Sequence, residues 1–119
     1  MATAKSKFQG VSVPLGSAPA GATIKFKVQD TPGFEARAIL LRDTETIATW
    51  VSSELIGIPV SEALVVAGFY TLQITFVFTH KKPATVNVDF QINNGTKVPV
   101  SFIGQRPDVA RAIADVFIV

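Results

Sequence analysis

The sequence predicts an all-β chain of eight to nine short strands, packed as a two-layer antiparallel sandwich. Two observations carry this expectation: apolar and polar residues alternate in run after run, and Gly, Pro and Asn break the runs at short intervals. A third follows from them, because a sheet with one apolar face must bury that face against a second layer.

The clearest alternation lies in residues 68–102. Tyr70, Leu72, Ile74, Phe76 and Phe78 alternate with Thr71, Gln73, Thr75, Val77 and Thr79. After a break at 80–84 the period resumes with Val86, Val88, Phe90 and Ile92, and then with Val98, Val100 and Phe102. These three runs read as a meander whose even-numbered side chains share one apolar face. A one-residue slip would put that face in water, so even must pair with even. A two-residue turn at Asn94-Gly95 breaks this parity. A three-residue loop Asn93-Asn94-Gly95, with Gly95 in the left-handed position, keeps it and sets Ile92 against Thr96, Phe90 against Val98, Val88 against Val100 and Val86 against Phe102.

The other elements follow in chain order. Residues 1–7 form a polar, basic arm. The run 8–15 alternates Val11, Val13 and Leu15 with Ser12 and Pro14, and Pro14 restricts it to an edge or a bulge. A turn-rich link at 16–21 leads into 23–30, with Ile24, Phe26 and Val28 inward and Lys25, Lys27 and Gln29 outward. Thr31-Pro32-Gly33-Phe34 has the type II arrangement. In the run 34–42, Ala36, Ala38, Ile39, Leu40 and Leu41 leave both faces partly apolar, and it reads as an interior strand. Two further runs, 47–51 with Trp50 and 55–60 with Ile56 and Ile58, read as strands. Residues 61–67 fit either a helical turn or a short strand. The tail 107–119 fits a helix, with Val109, Ala112, Ile113, Val116 and Phe117 on one side, or a strand, which aligns Ala110, Ala112, Ala114, Val116 and Ile118; the β-branched ending favours the strand.

Ala67-Gly68-Phe69-Tyr70-Thr71-Leu72 resembles the A-G-x-Y-x-L stretch that opens strand F of immunoglobulin-like sandwiches. The resemblance implies a tyrosine hydroxyl that ties the corner back to the backbone, and Leu72 stands where antibody domains carry cysteine. Two strands beyond the seven-strand plan keep a small jelly roll as the rival topology.

At 119 residues one domain over 1–119 is expected, with a core large enough to need no staples. There is no cysteine, so no disulfide forms, and the compartment is left open. No targeting segment and no membrane span is expected. Eleven basic against nine acidic residues give a net charge of +2, which is no nucleic-acid footprint by itself. Charged residues make up 17 %, against about 25 % in an average soluble domain. The low charge implies that something else covers part of the exterior.

Catalysis needs tuned groups held close together, and the chain offers one histidine, no cysteine and scattered carboxylates. No hydrolase elbow, phosphate loop or metal motif is present, so no catalytic residue, cofactor or metal is assigned. His80 beside Lys81 and Lys82 offers an anion contact, although a solvated loop is the commoner meaning. Lys25 and Lys27 with Lys5 and Lys7 offer a basic patch, but lysines spaced by two more often guard a strand edge, and nucleic acid is not the expected partner. Trp50 offers a sugar-stacking platform, but a lone tryptophan in a sandwich is more often core. The least ordinary feature is an uncharged polar face: Thr71, Gln73 and Thr75 on one run, Asn87 and Gln91 on the next, with Asp89 the lone carboxylate. This face points first to a structural or adaptor module acting through self-association or another protein partner, and second to a carbohydrate-binding module.

Overall fold

In the computed structural model, which describes residues 7–119, the alternating runs become nine strands and one helical turn. They are β1 (Phe8–Ala18), β2 (Ala22–Val28), β3 (Phe34–Arg42), β4 (Glu45–Val51), α1 (Ser52–Leu55), β5 (Val60–Leu64), β6 (Gly68–Phe78), β7 (Ala84–Ile92), β8 (Val98–Gly104) and β9 (Val109–Ile118). One sheet has five strands in the order β1-β9-β6-β3-β4, and the other has four in the order β5-β2-β7-β8. The expected all-β sandwich is therefore present. It departs from a wholly antiparallel arrangement at one place, where β1 runs parallel to β9.

The expected meander does not form. β6 is hydrogen-bonded to β3 on one side and β9 on the other, while β7 and β8 belong to the opposite sheet. The alternation is satisfied all the same, because the mostly exposed residues 79–83 carry the chain over the end of the sandwich from one sheet to the other, and β6, β7 and β8 all turn their even-numbered residues inward. Parity alone cannot distinguish two strands side by side from two strands face to face. The single apolar face thus becomes two facing layers, and each is the second layer that the other requires.

The β7–β8 pairing follows the even-with-even rule, with Phe90 opposite Val98, Val88 opposite Val100 and Val86 opposite Phe102. Its loop differs from expectation. Asn93, not Gly95, takes the left-handed conformation at φ 52°, which asparagine tolerates better than most side chains. Gly95 N–H closes back on Ile92 O at 3.0 Å, and β8 starts only at Val98, so Ile92 does not pair with Thr96.

Residues 55–60 are not a strand. Glu54 accepts from Val51 N–H at 3.0 Å and fixes the turn α1; the strand β5 follows at Val60–Leu64, so that the stretch 61–67, which fitted a helical turn or a strand, is a strand over its first four residues. The interior strand at 34–42, the edge strand carrying Pro14 and the final strand at 109–118 are all present, and the arm at 1–7 lies outside the described residues apart from Lys7.

The core collects Leu72, Ile74 and Phe76 of β6 between alanines, Ala36 and Ala38 on β3 and Ala110, Ala112 and Ala114 on β9. Small flanking residues make room for rings from the other sheet. Phe76 meets Phe102 across the layers at 6.0 Å between centroids, and Phe26 meets the Trp50 ring edge-on at 5.2 Å. Gly33, at φ 106°, has the positive φ that the Pro-Gly turn demands where the chain passes from β2 to β3.

Two polar ties fix the ends. Asp108, the one buried charged residue among those described, accepts from Lys7 N–H at 3.0 Å and Gln105 N–H at 3.1 Å. These backbone donors hold its carboxyl below the ordinary aspartate range. At the other end, the Tyr70 hydroxyl donates to Val66 O at 2.7 Å, the tie that the local resemblance implies. Tyr70→Phe is expected to cost about 1 kcal/mol by leaving that carbonyl unpartnered, read as a lower denaturant midpoint with an unchanged slope.

Candidate interaction face

The pairing of the five-stranded sheet fixes which side chains share its outer face. The middle row runs Thr49, Ile39, Gln73, Ile113 and Ser12. Toward the 79–83 loop the next row is Val51, Arg37, Thr75, Arg111 and Gly10, followed by Glu35, Val77, Val109 and Phe8. Toward the opposite end come Thr46, Leu41, Thr71, Asp115 and Pro14, and then Phe69 paired with Phe117.

This face mixes threonine and glutamine with large apolar side chains. Phe69 is 43 % exposed, Phe117 49 % and Val77 43 %, all on adjacent strands of one surface. Over β3 and β4 it dips into an open groove of about 1080 Å³, lined by Arg37, Ile39, Thr49, Val51, Thr75 and Val77. Arg111 lies flat on it, with its guanidinium 5.6 Å from the Phe8 ring centroid and its Nε–H donating to Thr75 Oγ1 at 3.3 Å. Among the described residues the one ion pair is Arg42–Glu45, at the β3–β4 turn, and neither Arg111 nor Asp115 forms an ion pair with any other of them.

The residues singled out in the sequence do not stay together. Thr71, Gln73 and Thr75 lie on the five-stranded face just described. Asn87, Asp89 and Gln91 lie on the outer face of the other sheet, on the far side of the sandwich. There Asn87 and Gln91 are engaged locally. Asn87 donates to Gln29 Oε1 at 2.7 Å and accepts from Ser101 Oγ at 2.6 Å, and Gln91 donates to Gly95 O at 2.7 Å. A hollow of about 290 Å³ beside them is lined by Lys27, Gln29, Asp30, Gly57, Asn87 and Asp89. Lys25 Nζ donates to Asn94 Oδ1 at 3.0 Å, and Lys5 lies outside the described residues.

Trp50 sits opposite Ala38 on the inward side of β4, half-buried against Phe26. It stays partly accessible and also lines the groove over β3 and β4. His80, Lys81 and Lys82 are exposed in the crossing loop, where His80 O accepts from Arg106 N–H at 2.7 Å. No three His, Asp or Glu side chains come close enough to hold a metal ion among the described residues. No helix among them is long and apolar enough to cross a membrane. No family model matches the chain, and neither does any curated protein or solved structure.

The sequence reading missed the apolar half of this face. Phe69 and Phe117 occupy odd positions in strands whose even positions are core, and that parity was the available signal.

Proposed function

We propose that the protein is a non-enzymatic structural or adaptor module that works by self-association through the outer face of its five-stranded sheet. The observation that carries this reading is the set of exposed apolar side chains on one surface, Phe69 and Phe117 at one end and Val77, Phe8 and Val51 toward the other. Large apolar groups left exposed on one face mark a contact site, and the low overall charge of 17 % is consistent with part of the exterior being covered. The carbohydrate-binding alternative would rest on Trp50, which is partly exposed at the groove over β3 and β4 while its ring meets Phe26 edge-on.

Sedimentation velocity at tens of micromolar tests the reading. A species heavier than the 12.7 kDa chain is expected, and Phe69→Lys with Phe117→Lys should reduce it to a monomer without lowering its melting temperature. A wild-type monomer across that range refutes the reading.

A further inference from the structure

Resting on that reading, we propose that the partner is a second copy of this chain, docked face to face about a twofold axis lying along the row Ile39-Gln73-Ile113. The proposal comes from the symmetry of the face about that row. On β9, Arg111 and Asp115 stand two residues to either side of Ile113 on the same surface, each about 7 Å from it along the strand. A rotation about the row keeps each strand over its own counterpart and exchanges the two ends. Arg111 then lies over Asp115 of the second copy, and Asp115 over its Arg111.

The remaining rows of β6 and β9 agree. Thr75 comes over Thr71, and the Val77–Val109 pair comes over the Phe69–Phe117 pair, so apolar meets apolar at both ends. On β3 the match is poorer: Arg37 comes over Leu41 without a charge partner, and Glu35 comes over the β3–β4 turn at Asp43, at the rim of the face. The other in-plane axis, along the strands, would exchange β3 with β9 and set Arg37 against Arg111 in a like-charge contact, which disfavours it. A head-to-tail stack leaves both charges unpaired beneath the partner, a cost that the twofold avoids.

Size is compatible as well. Five strands and five rows span roughly 24 Å by 30 Å at ordinary sheet spacings, so two copies would bury about 1,400 Å², the range of a stable interface. Sheets packed in this way hold their strands within about 30° of each other.

Charge reversal tests the operator separately from the face. Arg111→Asp alone sets Asp against Asp twice, and Asp115→Arg alone sets Arg against Arg twice. Each is expected to weaken self-association roughly 100-fold. Mixing the two single variants should restore a heterodimer, and the double variant R111D/D115R should restore the homodimer to within about tenfold of wild type. Arg111→Asp also gives up the contact with Phe8; Asp115→Arg imposes the same repulsion without touching it. Circular dichroism and melting temperature on every variant verify folding.

Recovery in both the mixture and the double variant supports the twofold. An oligomer that is lost in the Phe69→Lys, Phe117→Lys variant but is indifferent to the reversals, or is not rescued by mixing, overturns the twofold and leaves the face standing. A wild-type monomer overturns both.

Discussion

Phe76→Ala is expected to destabilise the fold by about 3–5 kcal/mol and to lower the melting temperature by roughly 12–20 °C. The size of the effect follows from position. Phe76 lies on the central strand of the five-stranded sheet, is fully buried, and touches Phe34 within its own sheet at 5.8 Å and Phe102 of the other sheet at 6.0 Å between centroids. Its in-register neighbours are Ala36 and Ala110, which have no atoms to move into the vacated space. The cavity therefore persists, and the cost lies at the upper end for a large-to-small change. Phe76→Leu, which refills most of the volume, should recover more than half of the loss. Equal losses for the two substitutions in urea denaturation would show that the site relaxes freely and would contradict this account.

The contrast between what the sequence disclosed and what it hid has a physical basis. Inward and outward assignments along β6, β7 and β8 were legible because period-2 alternation is a local property, written in each strand by burial on one side. The β7–β8 register was legible because a parity slip is costly. Sheet membership was not legible: β6 and β7 carry the same alternation whether they lie side by side or face to face, and the five residues at 79–83 suit a hairpin loop as well as a crossing. The partners of β6 are β3 and β9, which lie far from it in the chain, and no local signal names them. The same blindness divided the candidate site. Thr71, Gln73 and Thr75 stand on one face and Asn87, Asp89 and Gln91 on the opposite one, because grouping them assumed a shared sheet. The turn α1 was hidden by Ile56 and Ile58, whose β-branched side chains suit a strand, whereas Glu54 capping Val51 N–H decides the local structure.

The second large effect is expected at the end of the sandwich where the 79–83 loop crosses. Gly104, the last residue of β8, is buried and lies opposite Ala84. A methyl group there would sit 2.6, 2.7 and 2.9 Å from three carbons of the Phe78 ring. Real carbon contacts do not approach so closely, so either the ring or the strand must move. The ring has nowhere to go: Phe78 is 1 % exposed, pairs with Phe34, and donates its N–H to Asp108 O at 3.1 Å. Gly104→Ala is therefore expected to cost about 1–3 kcal/mol, an overpacking penalty, despite the gain in strand propensity over glycine. The mechanism predicts coupling between the two positions. Phe78→Leu removes the atoms that clash, so the alanine at 104 should cost at least about 1 kcal/mol less in that background than in wild type. Additive losses in the double-mutant cycle would mean that the contact between Gly104 and Phe78 does not set the packing at this end.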